Sequence, residues 1–382
     1  MSLRFSLVLF YITCSVVTYF SVISTGNYGF GVNFKSAPNF EQLTIDLLLW
    51  VIPVYFIVYL LYSIIVRINF KRKIKTSSKL SDVFALICIV INSLTIFAGI
   101  GSAGGDVSRF GFLQSLLPLI PCLILYYGVS RDDLTRGKLV IIIIMAVLAL
   151  IKGWSGHIII MVILEVLYRY NDRLKLYALI KLFLLFCFVL FLFYFIMPLK
   201  FTIRGGVFHL VPIAEYIDYV FGRVAIFSLY SYLSTVSDRF YEVISSTYIS
   251  HFYLQEFFLG IIPKSLVGMS DFRGMDNVYS VLYINPDLIN AGFSITLPGL
   301  VNLSSNNIIV LLGFVIFVTL VFIFQWSVLS RLCNSNTAKN VQFVNMLLFI
   351  GSGSLKSIAM FSYLLVIFVI YMWFFRRVLT VN

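Results

Sequence analysis

The chain has 382 residues, of which 60% are hydrophobic and only 12% are charged. Soluble domains carry roughly 25% charged residues, so an ordinary soluble globular fold is excluded and an all-α polytopic membrane protein is expected. The net charge of +12 raises nucleic acid as a partner, but 17 of the 28 Lys and Arg fall in six segments at alternate ends of the apolar runs. These are Arg4; Arg67, Lys71, Arg72, Lys73, Lys75 and Lys79; Arg131, Arg136 and Lys138; Arg169, Arg173 and Lys175; Arg331 and Lys339; and Arg376 and Arg377. That is the positive-inside pattern, which places both termini in the cytoplasm and leaves no nucleic-acid footprint.

The first element is the apolar run that follows Arg4 and ends at Ile23. It lacks a small-residue cleavage site and is read as an uncleaved first span. Runs of about 20 residues, at 1.5 Å rise per residue, cross a hydrocarbon core of roughly 30 Å, and in lipid they must be helical to satisfy their own backbone groups. Spans are predicted at about 4–24, 43–66, 81–101, 112–129, 139–152, 156–169, 176–197, 307–329, 341–355 and 358–375. These ten match two cytoplasmic termini. The pair within 139–169 is read as a tight hairpin of two short helices around Lys152-Gly153-Trp154-Ser155-Gly156-His157; a single long helix would move Arg169, Arg173 and Lys175 to the outer side, against the charge rule.

Three outer loops precede a fourth, much longer one. Ser24–Gln42 is irregular, with Gly26, Gly29, Gly31 and Pro38; Gly99–Arg109 is glycine-rich and carries Asp106 and Arg109 without P-loop spacing; the third is the Lys152 turn. The five cysteines, Cys14, Cys88, Cys122, Cys187 and Cys333, all avoid the long loop, and no cluster of Cys, His and carboxylate has metal-ligand spacing, so no metal is expected.

The long loop, residues 198–306, is expected on the outer side of the membrane, within a chain that forms a single membrane domain. Its pattern turns amphipathic, with two helices predicted over 213–235 and 238–259. Arg204, in Lys200-Phe-Thr-Ile-Arg204-Gly205-Gly206, follows the seventh span and offers a planar fork to a membrane-bound diphosphate. Arg223 lies in an apolar helical stretch, where an intramembrane or interfacial charge marks function. His251 is the candidate general base, with an unperturbed pKa near 6.5, and His209 and Glu256 are its rivals. Arg239, Lys264, Arg273 and Lys152 are candidate phosphate or sugar contacts. No GxSxG elbow, HExxH or Walker loop is present.

The order of elements resembles the O-antigen repeat-unit polymerases of the Wzy type, relatives of the O-antigen ligases among GT-C-like glycosyltransferases. The residues that carry the resemblance are Lys152-Gly-Trp-Ser-Gly-His157 before an apolar span, Gly260-Ile-Ile-Pro263-Lys264 in the large loop, and Asn290-Ala-Gly292-Phe-Ser-Ile-Thr-Leu-Pro-Gly299 before the next span. At the first of these the family's usual arginine is missing, and Lys152 stands two residues early. The resemblance implies transfer of a polyprenyl-diphosphate-linked oligosaccharide onto another lipid-linked repeat, with inversion and with neither a metal nor a nucleotide sugar. It also implies membrane lipids and a chain-length regulator as partners, with Arg204 and Arg223 neutralising the leaving diphosphate. The rival readings are a lipid-linked oligosaccharide flippase, which would carry its charges within the spans, and a membrane transferase that decorates lipid-linked glycans.

Overall fold

The computed structural model describes residues 2–28, 35–70, 73–74, 76–98, 116–152, 156–170, 184, 188–196, 198–199, 202, 210, 212–213, 216, 225–248, 251–262, 274–284 and 294–379. These residues are almost all helical, with one isolated bridge between Asn27 and Ser36. Among the described residues five helices are long and apolar enough to cross a membrane: α1 (Leu3–Thr25), α2 (Phe40–Ile65), α3 (Ser78–Phe97), and the later helices Ile308–Leu332 and Leu355–Arg376. Phe20, Leu49, Ile57, Leu94, Phe97, Ile309 and Leu312 stand outward from them, a surface that suits hydrocarbon and not water. The chain is therefore an all-α membrane protein.

Its packing divides the chain into two units, the first made of Met1–Ile64, Val211–Leu320 and Asn345–Ile358, the second of Ile65–Leu210, Val321–Val344 and Ala359–Asn382.

In the first unit Ser2 caps α1 by accepting from the Phe5 amide. Ser2 Oγ also meets Tyr59 Oη at 3.1 Å, while Tyr19 Oη meets Thr44 Oγ1 at 2.8 Å at the opposite end of α1, so α1 and α2 run antiparallel. α2 widens into a π-helical turn over Asp46–Val51. The described part of the long loop folds as helices: α7 (Phe227–Thr247), α8 (Phe252–Leu259), α9 (Met275–Tyr279, continued by a π turn over Ser280–Ile284) and α10 (Leu297–Ser305). The amphipathic character expected there holds, but the boundary differs. One helix runs through 236–237 because Phe227, Tyr230, Leu233, Ser237, Phe240 and Ile244 form an unbroken buried stripe at helical spacing. The chain breaks at Tyr248 instead, which has extended backbone at φ −92° and ψ 133°.

α7 is anchored to the first two helices by Tyr19 against Phe227, by Trp50 against Tyr230 and by the hydroxyls of Ser231 and Ser234 on Asp46. α10 lies close on α7: a β-carbon at Gly299 would come within 2.3 Å of Leu233 Cδ2, so a larger residue there would have to displace that side chain. α8 packs through Tyr253 and Phe257 on Phe314 and Phe317 of the helix Ile308–Leu332.

The second unit holds α3, α4 (Leu119–Ser130), α5 (Arg136–Ile151) and α6 (Gly156–Tyr170). Tyr126 donates to Asp82 at 2.7 Å at one end of α3 and Asn92 donates to the Leu117 carbonyl at 3.1 Å near the other, so α3 and α4 are antiparallel. α5 starts beside Asp133 and finishes at Lys152, which reaches Asn92; α6 then brings Glu165 back to Tyr127 and Arg131. These contacts make α5 and α6 a hairpin and not one continuous helix; residues 153–155 lie outside the described set. At 16 and 15 residues, each rises only about 23 Å.

The chain continues through α11 (Ile308–Leu332), α12 (Ser335–Ser352) and α13 (Leu355–Leu379). The break between the last two falls at Gly353–Ser354, not at 356–357 as the hydropathy suggested, because Gly353 takes φ 60°. The predicted span 176–197 falls largely outside the described residues.

Candidate functional site

Four side chains from the long loop and the start of α13 come together in the first unit. Tyr248, at the break after α7, donates a short hydrogen bond to the Glu256 carboxylate on α8. The same oxygen, Oε1, accepts from the Met275 amide at 2.6 Å. A β-carbon at Gly274 would sit at an ordinary contact distance, 3.4 Å, from both carboxylate oxygens. Asp276, the second residue of α9, is half-buried beside this centre.

Burial is the main force on Asp276 and the Glu256 charge adds to it, so the Asp276 carboxyl is raised to about 7, with the exposed Lys356 at the head of α13 opposing. Burial, and then the neighbouring Glu256, likewise push the Tyr248 phenol upward, so it stays a donor. One carboxylate is thus fixed by two donors, and a second carboxyl exchanges its proton near neutral pH. A pair of this kind can take up and release a proton.

His251 stands at the N-terminal end of α8, exposed, with its ring stacked on Tyr253 at 5.5 Å and 3°. Its carbonyl accepts from Leu254 and Gln255, which fixes the first turn of the helix that presents Glu256. Arg239 is exposed on α7, and its charge acts on Tyr283. Arg204, Arg223, His209, Lys264 and Arg273 lie outside the described residues. Lys152 belongs to the second unit, buried, and donates to Asn92 Oδ1 at 2.8 Å and Thr95 Oγ1 at 3.0 Å. Of the nine residues singled out from sequence, His251 and Glu256 share α8, and Arg239 shares their unit.

Asp276 and Tyr248 were not singled out. Asp276 is a lone acid in Gly274-Met275-Asp276-Asn277, and its environment comes from Glu256, twenty positions upstream. Asp46, on α2, was not singled out either. It is completely buried and accepts from Ser231 at 2.5 Å, Ser234 at 3.0 Å and Gln42 at 3.0 Å, while Ser231 also meets Tyr28 Oη at 3.0 Å. These bonds set the register of α7 on α2.

Among the described residues no three His, Cys, Asp or Glu side chains gather as a metal-binding group. No protein-family model, curated protein or solved structure matches the chain.

Proposed function

We propose that the chain is an inverting membrane glycosyltransferase that polymerises polyprenyl-diphosphate-linked oligosaccharide repeats at the periplasmic face of a bacterial inner membrane. The same proposal includes ten spans, cytoplasmic termini and a periplasmic long loop. The observation that carries it is the cluster in which Tyr248 and the Met275 amide hold the Glu256 carboxylate beside Asp276, within a loop whose Gly260-Ile-Ile-Pro263-Lys264 and Asn290–Gly299 stretches resemble the polymerases.

In the step proposed, a hydroxyl oxygen of the acceptor repeat attacks the anomeric carbon of the donor. Its proton passes to the Asp276 carboxylate as the bond from that carbon to the lipid diphosphate oxygen breaks. Arg204 and Arg223 neutralise the departing diphosphate, the kind of electrostatic stabilisation that is usually the largest catalytic contribution. Glu256 positions Asp276 and raises its affinity for the proton. His251, at the open end of α8, serves as a sugar contact, and the base role expected for it passes to Asp276.

The test is complementation of a deletion strain, with surface polysaccharide displayed on a gel. The deletion is expected to leave single-repeat product, the wild type to restore the ladder, and Asp276→Asn, Arg204→Ala and Arg223→Ala to fail at matched expression. His251→Ala is expected to retain a weakened ladder. If the deletion removes even the single-repeat product, the polymerase reading fails in favour of a flippase. If Asp276→Asn restores a full ladder, the base is another group.

A further inference from the structure

A row of aromatic rings on the loop helices of the first unit takes no part in the transfer step. Tyr28, Tyr232, Tyr279 and Tyr283 follow one another with ring centroids 5.7, 6.5 and 6.0 Å apart. Phe240 packs on the last two at 5.4 and 5.8 Å. Tyr28, Tyr279 and Phe240 are buried, whereas Tyr232 and Tyr283 are half-buried. Tyr232 Oη donates to the Tyr283 carbonyl at 2.8 Å. The Tyr283 ring is thus backed by Phe240 and Tyr279 and pinned through its main chain, while part of it stays open.

The surroundings of that open ring are polar. α7 turns Thr235, Asp238, Arg239, Glu242, Ser245 and Ser246 outward in one stripe at helical spacing, a face that suits water and not hydrocarbon. An aromatic belt residue, by contrast, stands at headgroup depth against an apolar flank. Among the described residues neither Arg239 nor Glu242 is in an ion pair. Burial raises the Tyr283 phenol, Arg239 opposes this and Glu242 adds to it, so both charges reach the ring from α7.

These groups match the two kinds of surface on a sugar. The C–H face of a pyranose packs on an aromatic ring, while a guanidinium offers paired donors and a carboxylate paired acceptors to neighbouring hydroxyls. With Asp238, Arg239 and Glu242 the stripe carries one net negative charge, which disfavours a phosphate or an acidic sugar. α9 and its π turn run unbroken from Met275 to Ile284. Tyr283 therefore lies seven positions from Asp276, roughly 10 Å along the axis, a separation that a short glycan bridges.

We propose that Tyr283 is the stacking platform of a subsite for an uncharged pyranose ring of the acceptor glycan, with Arg239 and Glu242 clamping its hydroxyls. The assignment to the acceptor rests on the polymerase reading of the loop. The glycan then lies along α9, its attacking hydroxyl at Asp276 and a ring farther along the chain at Tyr283.

The test titrates the full chain in nanodiscs with the single-repeat oligosaccharide released by mild acid from the native host's lipid carrier. Calorimetry gives the affinity, and saturation-transfer NMR shows which sugar protons meet the protein. Tyr283→Ala is expected to weaken binding about tenfold and Glu242→Gln about fivefold, while Tyr283→Trp, which keeps a stacking face, binds as the wild type does. No binding by the wild type, or unchanged affinity in Tyr283→Ala, overturns the proposal and leaves the ring a packing residue. If Tyr283→Ala does not fold, the exposed positions decide, and unchanged affinity in both Arg239→Ala and Glu242→Gln overturns it. The polymerase reading is scored separately by the gel ladder. A restored ladder without Tyr283-dependent binding removes the subsite alone, and Tyr283-dependent binding in a chain that restores no ladder keeps the sugar site and removes the polymerase.

Discussion

Asp276 owes its raised carboxyl first to burial and second to the fixed charge of Glu256, and both can be tested through stability. The unfolded chain releases this proton near ~3.9, whereas the folded chain holds it to about 7. Between those values the native state binds more protons than the unfolded one. Stability therefore falls as the pH rises through that window and levels off above it. In Asp276→Asn no charge can form, so the melting temperature should lose most of its slope between about pH 4 and 7, and the variant should melt higher than the wild type above about pH 8. Thermal unfolding followed by intrinsic fluorescence across that range checks this; an unchanged slope would assign the dependence to a different carboxyl. At this scale the sequence showed Glu256 as a candidate, as a rival to His251 for the base. It could not show Asp276, whose partner is supplied by tertiary packing. The buried Lys152 teaches the same lesson in reverse: as an exposed turn residue it reads as a phosphate contact, yet its ammonium is turned inward onto Asn92 and Thr95.

The start of α10 rests on a strained junction. Thr296 takes φ 66° and ψ 158° and is the one non-glycine residue with positive φ among those described; a conformation of this kind costs on the order of 1–3 kcal/mol and persists only where its surroundings enforce it. Here the enforcement is local. Thr296 Oγ1 accepts from the Gly299 amide at 3.3 Å, its own amide donates to the Ser352 carbonyl at 3.4 Å, and Gly353 lies directly behind it. A β-carbon at Gly353 would fall 2.6 Å from the Thr296 carbonyl carbon and oxygen, and Gly353 itself has φ 60°. Gly353→Ala should thus destabilise the protein by about 2–4 kcal/mol, combining a left-handed backbone with overpacking against main chain. Gly351→Ala is the control, since a β-carbon there meets nothing within 4 Å. Equal melting temperatures for the two variants would mean that the junction relaxes freely. Helix type was readable at this scale from apolar periodicity, as α7 shows. Helix limits were not, because both the α12–α13 break and the close approach of α10 to α7 depend on glycines whose neighbours are remote in sequence.

Composition alone revealed an all-α membrane protein, since 60% hydrophobic and 12% charged residues leave little alternative. The grouping into two units could not be read in the same way, because each unit is assembled from three separated stretches of chain. The charge pattern did carry over into three dimensions within the second unit. Lys73, Arg131, Lys138, Arg169 and Arg331 converge on one end, through bonds to the carbonyls at the close of α11, to Glu165 and to Asp133. The proposed function requires that end to be cytoplasmic and the loop helices before Ile308 to lie across the membrane from it; the 25 residues of α11 rise about 37 Å, long enough for the roughly 30 Å of hydrocarbon. Two exposed positions test this, Ser246 at the end of α7 and Asn336 at the start of α12. The described native cysteines are buried, and the unmodified chain provides the background. A membrane-impermeant maleimide applied to cells with a permeabilised outer membrane is expected to label Ser246→Cys at once and Asn336→Cys only after the inner membrane is opened. The reverse result would put the loop site in the cytoplasm, where it could not meet a glycan already carried across the membrane, and the polymerase reading would fall with it.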